Sequence, residues 1–176
     1  MRILRLRLQN LNSLTGKWEL DFTDPAFTGN GIFAITGPTG SGKTTILDAV
    51  CLALYGRTPR LDRVTKGGNE IMSRQKGECS AEVEFATIKG NFRCFWSQHR
   101  SRKKADGNLQ PPKRELSCLD TPKKNILANT INEVARLVEE YTGMDFKRFT
   151  RSMLLAQGDF AAFLQASQDE RAPILQ

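Results

Sequence analysis

Residues 37–44 read Gly-Pro-Thr-Gly-Ser-Gly-Lys-Thr and fit G-x-x-x-x-G-K-[ST] at every fixed position. Residue types in this order bind phosphate. Glycines let the loop wind inward in conformations that a Cβ would obstruct, so that the backbone N–H groups from Thr39 through Gly42 (Thr39, Gly40, Ser41, Gly42) face an anion. Lys43 adds a mobile cation for the β- and γ-phosphates. The Thr44 hydroxyl is a ligand for Mg²⁺, and Thr45 falls where an α-phosphate would lie. The chemistry indicated is binding of a nucleoside triphosphate with Mg²⁺.

Such a loop works only between a strand and the N-terminus of a helix, whose free N–H groups and dipole then point at the same anion. Both neighbours are legible. Ile32-Phe33-Ala34-Ile35 is a short apolar run suited to a buried strand, and Thr44–Tyr55 places Ile46, Leu47, Val50, Cys51 and Leu54 at helical spacing before Gly56, a C′ residue. Upstream, Ile3–Leu11 alternates, with Leu4, Leu6 and Leu8 opposite Arg5, Arg7 and Gln9. Trp18, Leu20 and Phe22 suggest a second strand, ended by Thr23-Asp24-Pro25. Residues 57–80 read as loop. Ala81–Ile88 and Phe92–Gln98 read as a hairpin turning at Lys89-Gly90-Asn91, with Phe92 and Trp96 on its inner face. Thr130-x-x-Glu133 is a capping box that opens a helix with Ile131, Val134, Leu137, Val138 and Tyr141 on one face, ending at Gly143. A further helix is expected from Phe146 to about Leu155. Ser167-x-x-Glu170 opens a last one, in which Pro173 would break the backbone pattern.

The chain has 176 residues, 39% hydrophobic and 26% charged, which suits one globular unit and argues against a disordered or fibrous chain. No apolar stretch approaches the ~20 residues of a membrane span, and the N-terminus lacks the solid apolar block of a secretory signal. Four cysteines without C-x-x-C spacing and a single His99 do not make a zinc set. The expected setting is therefore a reduced, cytoplasmic one, without a structural metal. A formal net charge of +7 favours polyanions as partners. Most of that excess lies between Arg100 and Arg114, where Arg100, Arg102, Lys103, Lys104, Lys113 and Arg114 stand against one acid, Asp106. This segment reads either as a contact for DNA phosphates or as a solvated hairpin end.

Hydrolysis also needs an acid at the end of a buried strand and a group that orients water. No run of four apolar residues followed by Asp-Glu occurs, and Thr65-Lys66-Gly67-Gly68 lacks the acid of a guanine-reading motif. The chain holds half of an ATPase site.

Two blocks, FAITGPTGSGKTTILDAVCLALYGRTPRL (33–61) and FTRSMLLAQGDFAAFL (149–164), resemble the N-terminal ATPase segment of the SbcC family, bacterial SMC-like DNA-repair ATPases related to ABC-type ATPases. The resemblance covers nearly the whole chain. It implies an α/β P-loop NTPase fold: the N-terminal lobe of an ABC-type ATPase head, with a mixed sheet and a β-hairpin, over residues 1–176. It implies that Gln157 is the Q-loop residue linking Mg²⁺ and the attacking water, and that Asn12 and Ser13 contact nucleotide. The missing Walker B, signature and switch motifs would come from a C-terminal half beyond a coiled coil. Two heads would then close on two ATP molecules, in cells near the nucleoid, and control an SbcD-like nuclease partner acting on double-stranded DNA ends and hairpins. Two other classes stay open on the residues alone. One is a self-sufficient small kinase or NTPase; the other is a DNA-binding module with a vestigial nucleotide site.

Overall fold

The computed structural model describes residues 1–28, 35–61, 64–65, 67–121 and 125–152. Among them β1 (Arg2–Leu11), β2 (Leu14–Asp21), a single turn α1 (Pro25–Thr28) and α2 (Lys43–Tyr55) come first. Then follow β3 (Glu78–Thr87), β4 (Gly90–His99), β5 (Lys113–Cys118), β6 (Asn125–Ala128), α3 (Ile131–Thr142) and α4 (Phe146–Ser152). The strands form one sheet in the order β2-β1-β3-β4-β5-β6, and all its pairings are antiparallel.

Alternation decides what each face does. Leu6 and Leu8, Ala81, Val83 and Phe85, Phe92, Cys94 and Trp96, and Leu116 are buried on one face, under α2 and α3. The core placement expected for Phe92 and Trp96 is borne out. The opposite face is an ion-pair ladder: Arg5 joins Asp21, Arg7 joins Glu84, and Arg93 lies between Glu82 and Glu115. Cys51, Cys79 and Cys94 sit in the core, and burial pushes their thiols up to about 12, 11 and 11.

The helix ends follow their capping residues. α2 stops where Gly56, at φ 70°, donates its N–H to Leu52 O. α3 starts with the Thr130 hydroxyl accepting from Glu133 N and stops at Gly143, at φ 71°. Its buried stripe is Val134, Leu137 and Val138. Ile131 differs from expectation, because it is 49% exposed at the first turn. The hairpin forms, with both ends displaced from expectation: β3 starts at Glu78, inside the stretch read as loop, and Thr87 pairs with Gly90, so Gly90 and Asn91 belong to β4 and Ile88 protrudes at the tip. Glycine at φ 127° lets β4 begin there, where a Cβ would run into Asp120.

Of the apolar run before the glycine-rich loop, only Ile35 is described; it lies outside the sheet and is 36% exposed. Residues 32–34, the end of the helix expected from Phe146 to about Leu155, Gln157, Ser167–Glu170 and Pro173 lie outside the described residues.

Candidate nucleotide site

The loop of residues 37–42 ends on the first turn of α2. Gly40 and Gly42 adopt φ 82° and 92°, the left-handed region that a side chain resists. Gly42 is constrained twice, because a Cβ there would lie 2.7 Å from Leu14 Cδ2. The Lys43 ammonium donates to the carbonyls of Gly37 and Pro38, at 2.6 and 2.8 Å, which holds it over the loop. Thr44 is half-buried one residue on. Thr39, Gly40 and Ser41 are exposed, and Ser41 N closes a turn on Pro38 O at 3.2 Å.

The turn after β1 reaches this helix. Asn12, at φ 46°, donates from Nδ2 to Thr45 Oγ1 at 3.4 Å. Thr45 is buried, and Ser13 beside Asn12 is exposed. Asn12 is also anchored from behind: its N–H donates to Ile71 O at 2.7 Å, and its carbonyl accepts from the Ser73 hydroxyl at 2.9 Å. The structure therefore brings Asn12, Lys43, Thr44 and Thr45 together.

One turn further along α2, Asp48 is buried, and its Oδ2 accepts from Arg60. Its Oδ1 has no partner among the described residues. Burial raises this carboxyl above its ordinary value, and the Arg60 guanidinium opposes that shift. Sequence reading missed this pair. An acid four residues after a helical threonine and an arginine in a loop carry no local sign that they meet.

The basic segment divides. Arg102, Lys104 and Lys113 are exposed; Arg102 and Lys103 occupy left-handed conformations at φ 55° and 56°. Lys103 pairs with Glu78 at 2.7 Å, and half-buried Arg100 donates to Gly107 O at 3.1 Å. Arg114 must be corrected from a DNA contact to a core residue. It is 4% exposed and donates to Leu54 O at 2.5 Å and Ile131 O at 3.2 Å. The cause is strand alternation: β5 begins at Lys113, so successive side chains take opposite faces, and Arg114 turns inward onto the C-terminus of α2. Burial lowers its pKa. Gln98, also buried, joins the loops at the base of the segment through Thr65 O, Gln110 O and Asn69.

Among the described residues, no three His, Cys, Asp or Glu side chains form a metal group. At the loop, the Thr44 hydroxyl is a donor that suits Mg²⁺, a hard cation that would also take phosphate oxygens; Gln157, the other residue expected to contact it, lies outside the described residues. No helix among those residues is long and apolar enough to cross a membrane.

Comparison with known proteins identifies the setting. A family model described as an AAA domain, AAA_23, matches residues 5–176. The SbcC component of the nuclease SbcCD of Pseudomonas aeruginosa is 45% identical over 191 residues, covering 100% of this chain and 16% of that protein. The probable DNA double-strand break repair Rad50 ATPase of Aquifex aeolicus is 30% identical over 171 residues, covering 97% of this chain and 16% of that one. The chain thus spans about 16% of the length of these curated relatives. A solved chain from work on ATP-driven dimerization and DNA-stimulated activation of SMC ATPases aligns with a TM-score of 0.58 at 18% identity, over 99% of this chain and 98% of that one. That likeness supports the fold. By the family match and the relatives' identity, the chain belongs to the AAA domain family, within the SbcC group.

Proposed function

We propose that this chain is the ATP-binding N-terminal lobe of an SbcC-type head and contributes half of a composite ATPase site. The observation that carries this reading is the glycine-rich loop at the start of α2, with Lys43 over its mouth and Asn12 set against Thr45. In it the backbone N–H groups of residues 39–42 hold the phosphates. Lys43 neutralises the β- and γ-phosphates, Thr45 and Asn12 border the α-phosphate, and the exposed Ser13 extends that rim. Thr44 would hold Mg²⁺, which when bound polarises the phosphates. Gln157, outside the described residues, would complete this side by orienting water. The remaining groups would come from a C-terminal half of the same head and from a second copy.

A ligand bound by two faces stabilises only their joined state, so ATP would drive closure of two heads. Closure would in turn control an SbcD-like nuclease partner on double-stranded DNA ends and hairpins, in the cytoplasm near the nucleoid. The exposed Arg102, Lys104 and Lys113, with Arg100 behind them, would contact DNA phosphates.

The test is MgATP binding by calorimetry, with Lys43→Ala beside the native chain. Native binding with loss of at least tenfold in the variant is expected, from removal of the loop's one side-chain cation. Equal affinities would sink the assignment of the site.

A further inference from the structure

The chain reversal after α2 brings Arg60 back toward the phosphate loop. From Asp48 to the end of α2 at Tyr55 the helix rises about 10 Å. Residues 56–60 return over that length, so Arg60 meets Asp48 and not the helix end. A closed turn fixes the return: Thr58 N donates to Leu61 O at 3.0 Å, and the buried Thr58 hydroxyl accepts from Leu61 N at 3.0 Å. The other arginine of this segment, Arg57, is engaged elsewhere, with its guanidinium 4.2 Å over the Phe146 ring. The Asp48–Arg60 pair is lopsided. Its carboxylate side chain is 2% exposed and its arginine side chain 57%. A fork-to-fork pair would use both carboxylate oxygens. Here Oδ2 alone takes Arg60 Nη2, and Oδ1 has no partner among the described residues. Asp48 therefore seats the guanidinium by one nitrogen, and Arg60 Nε and Nη1 keep their N–H groups for another acceptor. Thr44 and Asp48 stand four apart on α2, which puts their Cβ atoms about 5–6 Å apart on one helix face. Tying the turn to α2 does not require a buried charge, since apolar residues of similar volume often do so at no loss.

We propose that Arg60, seated on Asp48, is a second side-chain cation of the nucleotide site and donates to the γ-phosphate of ATP bound at Thr44. The proposal rests on the nucleotide reading above and adds a contact outside the glycine-rich loop. The γ-phosphate is the acceptor that fits, because the loop's N–H groups enclose the α- and β-phosphates and leave the terminal one to Lys43 and the metal ion. A seated guanidinium suits it better than a free one. Its rotamer is fixed before the ligand arrives, and Asp48 occupies only one of its three nitrogens.

The test is equilibrium binding of ATP and of ADP, each with Mg²⁺, to the intact protein. Arg60→Gln, at an exposed side chain, is expected to weaken ATP about tenfold, the loss of one charge-assisted hydrogen bond, and to change ADP by less than about twofold. Arg60→Lys should restore part of the ATP affinity. Asp48→Asn keeps the shape of the seat and gives up its charge, and a selective loss of ATP affinity is expected there too. Unchanged ATP affinity in Asp48→Asn overturns the seat. Equal losses for ATP and ADP in Arg60→Gln overturn the γ-phosphate contact. Losses for neither, where Lys43→Ala weakens both nucleotides, overturn Arg60 as a residue of the site while the nucleotide reading stands. Native protein that binds neither nucleotide, or binding that survives Lys43→Ala, overturns that reading and this contact with it.

Discussion

A guanidinium can stay buried without a carboxylate only where carbonyls take its protons, and Arg114 gives Nη2 to Leu54 O and Nη1 to Ile131 O, while its Nε has no partner among the described residues. Its charge also lies at the C-terminal end of the α2 dipole, the favourable end for a cation. Arg114→Met leaves both acceptors buried and should cost about 2–4 kcal/mol in urea unfolding. A loss below about 0.5 kcal/mol would show that the fork holds nothing. Lysine should rescue only partly, because one ammonium cannot reproduce a planar fork spanning two elements. Asp21 offers a pH test. The Thr23 hydroxyl, Arg5 and the Thr23 N–H hold its carboxyl well below the usual carboxylate range. The folded pKa lies under the unfolded one, so this contribution is complete above about pH 4 and is lost as pH falls toward the folded value. Asp21→Asn should flatten the acid side of the stability profile below that pH and leave its shape above pH 6 unchanged. A native-like acid limb in the variant would refute the shift. Arg114 was misjudged from sequence because a run of charges hides the strand inside it. The start of β5 at Lys113 decides which member turns inward, and partners sixty residues back and seventeen ahead leave no local trace.

At the scale of elements, α2 was readable because its start, its stripe and its stop are all encoded locally, by the glycine motif, the apolar spacing and Gly56. The distant clamp on Gly42 was not. Gly42→Ala meets both an unfavourable φ, worth about 1–2 kcal/mol, and the Leu14 side chain. The variant should lose stability and ATP affinity together. Adding Leu14→Ala should relieve the overlap and recover some affinity, while the backbone cost remains. No recovery would mean that Leu14 does not set the helix start. Thr130→Ala should cost about 1 kcal/mol by removing the α3 cap, measured by thermal unfolding; an unchanged midpoint would rule out the cap seen at Glu133 N. Hairpin β3–β4 was readable from alternation, but its turn was not, since glycine usually marks the loop and here opens the strand.

For the whole molecule, a half-site predicts a division of labour. The chain should bind MgATP with negligible steady-state turnover, and turnover should appear when the C-terminal part of the same protein is supplied in trans. Vigorous hydrolysis by the isolated chain would mean that it owns a complete site. The family was legible from two blocks, of which the first carries the phosphate loop and the helix that follows it. The meeting of residues 74–77 with 100–104 was not, because β3 and β4 run past the strands expected, to the pair Glu78 and His99, into a stretch that reads as loop.

Residues 71–77 are pinned at both ends, to the backbone of Asn10 and Asn12 on one side and of Arg100 on the other. A span so tethered has a fixed contour length. Adding or deleting a residue within it would either lift Asn12 off Thr45 or part the two loops. Length change elsewhere is cheap: the protruding tip at Ile88 and Lys89 can grow by several residues at little entropic cost. Affinity tags and fluorescent insertions therefore belong at that tip, and the short span behind Asn12 is where the chain has no slack.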